Sequence, residues 1–282
     1  MIAEELHCSP VAYKRAETNN TCFNHNELKL LAKEFNKHSD KKIKLSSSKN
    51  LLVKDLEESY KHICDKKQFC WISQHLSNTS KQEKLFTNFR PSKPKSWYSN
   101  KNTWLNTYNL LYVMQQYELL YKDFEFMGVH PIDFAEKDTY GNCIGDLLCD
   151  IDIKHFSSNK KTRFAIILNL DTSNGPGTHW CGVYCNMNKK KPNYGIYYYD
   201  SVGEPYKDRV KRFFNNIKTQ VNDPDFEVRY NNIQAQFGNN ECGMFSMVFV
   251  TQCLKHVPFN DICKGMKGDA YMNELRNLLY RP

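Results

Sequence analysis

A run of apolar residues near the C-terminal end of the sequence is the feature that most constrains the fold. From Gly243 to Leu254 almost every residue is apolar, and the run is long enough for about three turns of α-helix. A helix that is hydrophobic on all sides is buried, so the run predicts a helix in the middle of a core. The residues just before it contain a Gly-Asn-Asn turn signal. Cys242 therefore lies where a surface turn enters the core, at the N-terminus of the predicted helix.

The position of Cys242 suits a nucleophile. The unpaired N–H groups and the dipole at a helix N-terminus favour a negative charge, and so favour a thiolate. Thiolate is the reactive species in cysteine catalysis. The alternative is a buried free cysteine with no chemical role, since free cysteine is among the most buried residue types. This stretch alone leaves both interpretations open.

A histidine and an aspartate at strand ends supply the partners that a thiolate nucleophile needs. One predicted strand begins at His179, and the next, which is rich in aromatic residues, ends at Asp200. In neighbouring antiparallel strands, the start of one and the end of the other lie at the same edge of the sheet, so the two side chains can meet. A lone histidine is usually structural. Together with Cys242, however, the pair predicts a site in which a carboxylate orients an imidazole and the imidazole activates a thiol.

The order and the local sequence of these residues resemble a known superfamily. His179-Trp180, Tyr199-Asp200-Ser201 and the placement of Gln236 six residues before Cys242 resemble the SUMO-protease and adenovirus-protease superfamily of cysteine peptidases. In that superfamily the functional residues follow each other as His, Asp or Asn, Gln and Cys. The resemblance implies an α+β fold in which a mixed sheet packs against a central helix bearing the catalytic cysteine.

Further segments narrow the resemblance, which spans about residues 96–282. Phe126–Phe134 and Leu168–Thr172 are most similar to the polyprotein-processing proteases of large cytoplasmic DNA viruses, of the African swine fever virus kind. Thr103–Asn106 resembles the start of the Trp-Leu-Asn-Asp motif that opens the catalytic domain of SUMO proteases. Thr107 replaces the aspartate of that motif, which contacts SUMO in the family. The departure weakens the alternative that the chain removes SUMO from proteins.

The resemblance implies a role for each candidate residue. Cys242 would attack a peptide carbonyl, and His179 would take the thiol proton and later give it to the leaving amine. Asp200 would hold the imidazole through its other nitrogen. The side-chain amide of Gln236 and the backbone N–H of Cys242 would bind the oxyanion. No cofactor and no metal are implied.

Two tryptophans are implied to select the substrate. In the resembling family two indoles form the roof and floor of a narrow tunnel beside the nucleophile, and Trp104 and Trp180 match them. Such a tunnel admits an extended Gly-Gly segment, because a Cβ would meet the rings. The implied substrates are viral structural polyproteins with Gly-Gly-Xaa sites, cleaved during virion maturation. The expected location is the viral assembly site in the host cytoplasm and the interior of the virion. The alternative that both tryptophans are ordinary packing residues stays open.

Two other functions remain open at the level of sequence. The first is an isopeptidase that removes SUMO-like or ubiquitin-like modifiers, which shares the mechanism but needs a docking face for a folded partner. The second is an inactive, protease-like binding module. All four candidate positions carry residue types that are competent for catalysis, which argues against the second alternative.

The chain is predicted to contain a small helical N-terminal domain, residues 1–95, and a catalytic domain, residues 96–282. In the first domain, Asn24 followed by Glu27 forms a capping-box pattern, the expected start of a helix. Three helices are expected in it, with residues 77–99 as a polar, proline-containing linker. In the second domain the order is helix, strands, helix, strand and central helix, which is typical of an α+β layer.

Positive charge is concentrated in the predicted N-terminal domain. Residues 1–95 hold 18 Lys and Arg against 11 Asp and Glu, a net charge of +7, whereas the whole chain has +8. A basic module of this kind can contact DNA or an acidic core protein through charge, as a positioning arm. A solvated lysine-rich surface is the alternative. With few arginines and little aromatic interleaving, recognition of a nucleic-acid sequence is not expected.

Eleven cysteines are scattered along the chain without a Cys-x-x-Cys pair. The expected state is reduced thiols in a cytoplasmic protein, although a zinc site built from Cys181 and Cys185 with Cys143 or Cys149 is conceivable. No stretch approaches the ~18 consecutive apolar residues of a membrane span. The first residues do not form the pattern of a secretory signal.

Overall fold

The computed structural model describes residues 5–76, 80–146 and 148–282. The chain divides into two compact units, Met1–Lys93 with Leu278–Pro282, and Pro94–Asn277. Residues 278–282, which the sequence assigned to the catalytic domain, are thus grouped with the helical unit. That residues 96–282 fold independently of residues 1–95 stays a prediction. Among the described residues, no helix has the length and apolar character that crossing a membrane requires.

The first unit is helical, as predicted, but its described residues contain five α-helices where three were expected. Its helices are α1 (Tyr13–Asn19), α2 (His25–His38), α3 (Lys49–Cys64), α4 (Gln68–His75) and α5 (Ser80–Phe86). The capping box at the start of α2 is confirmed. The Asn24 side chain accepts a 3.0 Å hydrogen bond from the Glu27 N–H, and the Glu27 carboxylate accepts a 2.7 Å bond from the Asn24 N–H.

The prediction of a linker over residues 77–99 is wrong for most of its length, and its residues 77–79 lie outside the described ranges. Helix α5 and a 3₁₀ helix, Lys95–Tyr98, occupy part of it. Leu85 and Phe89 are fully buried, and the Phe89 ring packs edge-on against Phe23 at 5.1 Å. The two apolar residues anchor the segment in the helical core, although most of its residues are polar.

The second unit contains the sheet. Its elements are α6 (Thr107–Leu120), β1 (Phe124–Pro131), α7 (Ile153–Ser158), β2 (Arg163–Asn169), β3 (Trp180–Asn186), β4 (Gly195–Tyr199), α8 (Asp208–Val221), β5 (Glu227–Tyr230), α9 (Cys242–Leu254), α10 (Phe259–Gly265) and α11 (Asp269–Leu279). A 3₁₀ helix, Leu148–Asp150, precedes α7. In the described part of the chain, the five strands form one sheet in sequence order. The outer pairs are parallel and the two inner pairs antiparallel, so the sheet is mixed.

The predicted central helix packs on the middle of this sheet. Gly182 in β3 lies under α9, where an added Cβ would be 2.8 Å from the Phe249 ring and 3.3 Å from the Ser246 carbonyl oxygen. The absence of a side chain therefore lets helix and strand approach closely. Phe249 also stacks on Tyr199 of β4, with ring centroids 5.2 Å apart. The predicted fold, a mixed sheet against a helix that begins at Cys242, is confirmed.

Helix α8 covers the opposite face of the sheet. The apolar side of this helix is fully or almost fully buried: Val210, Phe213, Phe214 and Ile217. These residues belong to one cluster with alternate residues of β2, β3 and β4. Because both faces of the sheet are covered, polar groups that need access to solvent must lie at an edge of it.

The expectation of reduced cysteines is wrong for six of the eleven. Disulfides join Cys8 to Cys22, Cys64 to Cys70 and Cys143 to Cys149, over Cα–Cα distances of 5.3, 5.5 and 5.6 Å. The free cysteines are Cys181, Cys185, Cys242, Cys253 and Cys263, all of them buried. Sequence spacing does not specify a disulfide, since pairing depends on which Cβ atoms the fold brings together.

Candidate active site

Cys242 is the first residue of α9, one position earlier than the predicted helix start, and it is almost fully buried. A Cβ at the next residue, Gly243, would lie 3.0 Å from the Leu105 and Leu110 side chains, which would have to shift to admit it. The small residue therefore allows the helix end to sit tightly against the segment around Leu105. As predicted, the thiol is attached at a helix N-terminus where a surface turn enters the core.

His179 and Asp200 meet at the edge of the sheet, as the strand pattern predicted. The imidazole Nε2 lies 2.7 Å from the Asp200 Oδ1. This contact leaves Nδ1 as the nitrogen for a thiol, and Cys242 is among the side chains that raise the pKa of the imidazole. Burial opposes a charge on His179. Hydrogen bonds with Asp200, Cys181 and Cys242 outweigh that effect, and the pKa of His179 is raised above its usual value. The carboxylate of Asp200 thus orients the imidazole that acts on Cys242.

Asp200 is fixed by its neighbours. Its Oδ1 also accepts a 2.9 Å hydrogen bond from the Val202 N–H. The buried Asn231 side chain holds the Asp200 backbone on both sides, since Oδ1 accepts from its N–H and Nδ2 donates to its carbonyl, each at 2.8 Å. Sequence reasoning missed Asn231. The available signal was its position directly after the alternating run at residues 226–230, which is typical of a half-buried strand.

Gln236 lies buried in the turn before Cys242. Its Nε2 donates a 2.7 Å hydrogen bond to the Gly238 carbonyl. Its Oε1 accepts a 2.6 Å bond from the Ser201 hydroxyl. An amide nitrogen carries two N–H groups, and Gly238 accepts one of them. The role of Gln236 in binding an oxyanion stays a prediction. Its partner Ser201 belongs to the Tyr199-Asp200-Ser201 motif, for which no function of the serine was predicted.

Trp104 and Trp180 line the same cleft. Trp180 is 8% exposed and its Nε1 donates a 2.9 Å bond to the Leu105 carbonyl, whereas Trp104 is 46% exposed and donates a 3.1 Å bond to Asn240 Oδ1. The cleft has a volume of about 540 Å³ and is also lined by residues of 129–131 and 169–177. The Trp180 indole is thus buried and fixed by a hydrogen bond, whereas the Trp104 indole is about half exposed. The structure brings the two together, while their role as a tunnel remains a proposal.

A buried ion pair that the sequence did not reveal holds the turn before Cys242. Arg276 Nε lies 2.9 Å from Glu241 Oε2, and both side chains are at most 4% exposed. The same guanidinium donates to the Thr103 carbonyl at 2.6 Å and to the Asn240 carbonyl at 3.1 Å. One side chain of α11 therefore ties the residue that precedes the candidate nucleophile to the segment before Trp104.

Two groups of side chains in the described residues could in principle hold a metal ion. His179, Cys181 and Asp200 form one, and Cys143, Cys149 and Asp150 the other. The first group consists of the imidazole–carboxylate pair and one buried thiol, so an ion there would replace the 2.7 Å bond. In the second, both cysteines are in a disulfide. The conceivable combination of Cys181 and Cys185 with Cys143 or Cys149 is not brought together among the described residues.

Replacing Asp200 with asparagine is expected to shift the alkaline limb of the pH–activity profile to lower pH. The carboxylate is the first of the groups that raise the pKa of His179, against the lowering effect of burial. A raised pKa keeps the imidazolium present at neutral pH and loses it only as pH rises through that value. Without the carboxylate the proton leaves at lower pH. The measurement is kcat/KM against pH. Asp123→Asn, which removes the partner of Arg163, is the matched control, and an unchanged alkaline limb in Asp200→Asn would contradict the assignment.

Comparison with known proteins finds a family model and several relatives that match this chain. The family model described as YopJ Serine/Threonine acetyltransferase matches residues 146–279, less than half of the chain. A protein of Acanthamoeba polyphaga mimivirus that is described as a thiol protease is 28% identical over 297 residues, covering 97% of this chain and 93% of that protein. A cysteine protease of African swine fever virus, from the Tick/Malawi isolate, is 25% identical over 210 residues, covering 71% and 74%.

The fold also matches a solved structure. The crystal structure of the African swine fever virus protease superposes with a TM-score of 0.64 at 20% identity, over 86% of this chain and 94% of that chain. At this identity the likeness is evidence of fold. The similarity extends well beyond the sheet and its central helix, because it covers most of both chains.

Proposed function

Because the chain is a cysteine peptidase of the SUMO-protease and adenovirus-protease superfamily, we propose that it is an endopeptidase that cleaves after Gly-Gly. The observation that carries the proposal is the 2.7 Å contact between His179 and Asp200 beside the thiol of Cys242. Nucleophile, base and orienting carboxylate meet at one helix N-terminus and one sheet edge. This arrangement is sufficient for covalent catalysis of acyl transfer.

The proposed reaction proceeds through a thioester. The Cys242 thiolate forms a bond to the peptide carbonyl carbon, and the carbonyl electron pair moves to the oxygen. As the oxyanion collapses, the C–N bond breaks and the His179 imidazolium gives its proton to the leaving amine. Water then loses a proton to the neutral imidazole and attacks the thioester. The thiolate leaves, and Asp200 holds the imidazole in one orientation throughout.

The oxyanion would be bound by two donors. One is the backbone N–H of Cys242 at the start of α9, and the other is the second Nε2–H of Gln236. A neutral amide can donate without adding a charge beside the thiolate. Losing one such donor costs on the order of 10²–10³ in rate in another hydrolase. The burial of Gln236 supports the proposal, since a preorganised donor away from water stabilises charge most strongly.

Selection of Gly-Gly would come from the two indoles. Trp180 is fixed by its bond to the Leu105 carbonyl, and Trp104 lies across the same cleft. An extended glycine pair would pass between them, whereas each Cβ would displace a ring. Overpacking costs of roughly 1–3 kcal/mol correspond to about 5–150-fold in rate.

Matched Gly-Gly-Xaa and Ala-Ala-Xaa peptides test the proposed function. The parent chain is expected to cleave the glycine peptide about 5–150-fold faster, and Trp180→Ala is expected to narrow the ratio by giving the Cβ atoms room. The measurement is kcat/KM for each peptide. Trp97→Phe is the matched tryptophan control, since Trp97 lies under Arg276 outside the cleft. Equal rates for the two peptides on the parent chain would refute the glycine preference.

The proposed substrates are viral structural polyproteins, cut during virion maturation at the assembly site in the host cytoplasm and in the virion. The viral origin of the relatives supports this proposal. A deconjugating isopeptidase is the alternative, because another African swine fever virus relative is described as a SUMO-1 cysteine protease. A SUMO vinyl sulfone distinguishes them. Rapid labelling of Cys242 by that probe would favour the isopeptidase, and labelling by short peptide electrophiles alone would favour the endopeptidase.

The family-model match favours a second candidate function, acyl transfer to a hydroxyl. The matched region contains His179, Asp200, Gln236 and Cys242. The first half-reaction would be the same, with an acetyl thioester in place of the peptide, and a serine or threonine hydroxyl would replace water. Mass spectrometry of a Ser/Thr-containing peptide incubated with an acetyl thioester tests this candidate. Acetylated peptide that depends on Cys242 would favour it over hydrolysis.

For the helical unit, we propose an electrostatic contact with DNA or an acidic core protein. The support is the concentration of lysines in residues 1–95. Contacts of this kind weaken steeply as salt rises. Retention of the chain on immobilised DNA at increasing salt is the measurement, and retention that does not change with salt would contradict the proposal.

A further inference from the structure

Ser201 directly follows Asp200 and touches Gln236 rather than the histidine. We propose that Ser201 is a positioning residue, whose hydroxyl fixes the amide of Gln236 so that its nitrogen, not its oxygen, is presented to the oxyanion. The inference rests on the proposed function, because it concerns the amide assigned to the oxyanion there. It gives a task to a buried hydroxyl that the mechanism does not otherwise use.

The contacts hold the amide at both ends. The Ser201 hydroxyl donates to Gln236 Oε1 at 2.6 Å, and Gln236 Nε2 donates to the Gly238 carbonyl at 2.7 Å. The Ser201 backbone carbonyl accepts from the N–H groups of Ala235 and Gln236, each at 2.9 Å. Ser201 is 1% and Gln236 3% exposed, so water has little access to replace these bonds. Ser201 therefore holds Gln236 through its side chain and its backbone.

Orientation decides whether this amide helps or hinders catalysis. The oxygen and nitrogen of an amide are nearly equal in size, so packing alone does not distinguish them and only hydrogen bonds do. With Oε1 engaged by a hydroxyl donor and Nε2 by a carbonyl, the amide has one favoured orientation. Turned over, it would direct an oxygen at the developing negative charge. Without the hydroxyl, the buried Oε1 would have lost its hydrogen-bond donor. Rotation of the amide toward another donor would then move its N–H groups.

Two adjacent residues, Asp200 and Ser201, thus organise both halves of the site. Asp200 orients the imidazole through its side chain, and Ser201 orients the oxyanion amide. Both are adjacent at the end of β4, where Asn231 holds the Asp200 peptide. A change at Ser201 should therefore affect the step that builds an oxyanion and leave the thiolate–imidazolium pair intact.

The Ser201→Ala variant tests whether the oxyanion-forming step is impaired while the reactivity of the Cys242–His179 pair is unchanged. We expect kcat for a Gly-Gly peptide to fall at least about tenfold, toward the 10²–10³ loss known for removing a complete donor, with little change in KM. Affinity for a peptide aldehyde, whose thiol adduct carries the same oxygen, should fall in parallel. The rate of Cys242 alkylation by iodoacetamide and its pH profile should stay at the parent values, because that displacement forms no oxyanion. A merely structural role would alter alkylation as well.

Two further variants make the result specific. In the Gln236→Ala background, Ser201→Ala should cause no additional loss of kcat. Ser246→Ala, which removes another buried hydroxyl, one bonded to the Cys242 carbonyl at 2.9 Å, should keep the parent kcat. Ser201→Cys keeps a hydrogen-bond donor at this position, although S–H is a weaker donor on a larger atom. If the alanine variant does not fold, Ser201→Cys allows the same measurement. Its kcat is expected to lie between the parent value and the value expected for Ser201→Ala.

The outcomes distinguish the inference from the function on which it rests. If Gln236→Ala is impaired but Ser201→Ala and Ser201→Cys turn over at the parent rate, the positioning role is refuted and the oxyanion role of Gln236 survives. If Gln236→Ala itself keeps the parent kcat, both are refuted. Equal losses in alkylation and in peptide turnover would also overturn the inference, because they would indicate general damage to the site.

Discussion

Cys242→Ala is expected to abolish peptide hydrolysis while leaving the fold intact. The side chain shrinks by one sulfur atom at a buried helix start, and alanine is the best helix former. What disappears is the atom that forms the thioester, so no covalent route remains. In subtilisin, removing the nucleophile costs on the order of 10⁶ in kcat. We expect a loss that approaches the detection limit, measured as turnover of a Gly-Gly peptide that the parent chain cleaves.

The control for this variant is another buried cysteine of the same unit. Cys263 in α10 is a free thiol whose pKa is raised to about 11 by burial, and it lies outside the candidate site. Cys263→Ala should keep turnover and labelling by thiol-directed peptide electrophiles, whereas Cys242→Ala should lose both. Hydrolysis that survives in Cys242→Ala would show that the nucleophile is elsewhere. A parent chain that neither cleaves nor labels would favour the inactive binding module.

Local sequence features were sufficient to predict that His179 meets Asp200 and that Cys242 lies at a helix N-terminus, whereas the placement of Cys242 beside that pair was implied by the family resemblance. The cysteine is placed by the start of an apolar helix, and the other two by the ends of adjacent antiparallel strands. Each position follows from a periodic pattern, and the meeting of His179 with Asp200 follows from the pairing of β3 with β4. The central helix and the α+β order of the elements could be predicted for the same reason, since hydrophobic periodicity specifies elements and their buried faces. That the sheet is mixed was implied by the family resemblance.

The contacts that support the site could not be predicted in this way. Ser201, Asn231 and Arg276 act on residues that are distant in sequence, and no periodic pattern links them to their partners. Asn231 and Ser201 belong to irregular segments after strands, where hydrogen bonding and not hydrophobicity determines the structure. The disulfides and the structure of the segment wrongly predicted as a linker also could not be predicted from periodic patterns. They depend on the three-dimensional arrangement of a few residues in otherwise polar surroundings.

Arg276→Ala is expected to have the largest effect on stability among the side chains that support the site. It would leave the Glu241 carboxylate buried without its cation, and the Asn240 and Thr103 carbonyls without a donor. Breaking a buried pair by removing one partner costs about 3–5 kcal/mol. For a unit of this size that lowers Tm by roughly 6–20 °C, at about 2–4 °C per kcal/mol. The measurement is thermal or urea unfolding followed through the sheet-containing unit.

A surface pair provides the comparison that isolates burial. Arg209 Nε lies 2.8 Å from Glu136 Oε1, a similar distance, but the two side chains are 42% and 36% exposed. Arg209→Ala should lower the stability much less than Arg276→Ala does, since exposed pairs contribute little. Equal losses for the two arginine variants would contradict the prediction.

The double variant Glu241→Gln with Arg276→Met separates loss of the pair from loss of one charge. If an uncompensated carboxylate causes the damage, neutralising both partners should restore much of the stability lost in Arg276→Ala. Turnover need not recover with it. The guanidinium also holds the Asn240 carbonyl, and Asn240 Oδ1 accepts the Trp104 N–H. A stable double variant with a weakened preference for Gly-Gly over Ala-Ala would show that Arg276 contributes to the cleft through Trp104, separately from its contribution to folding.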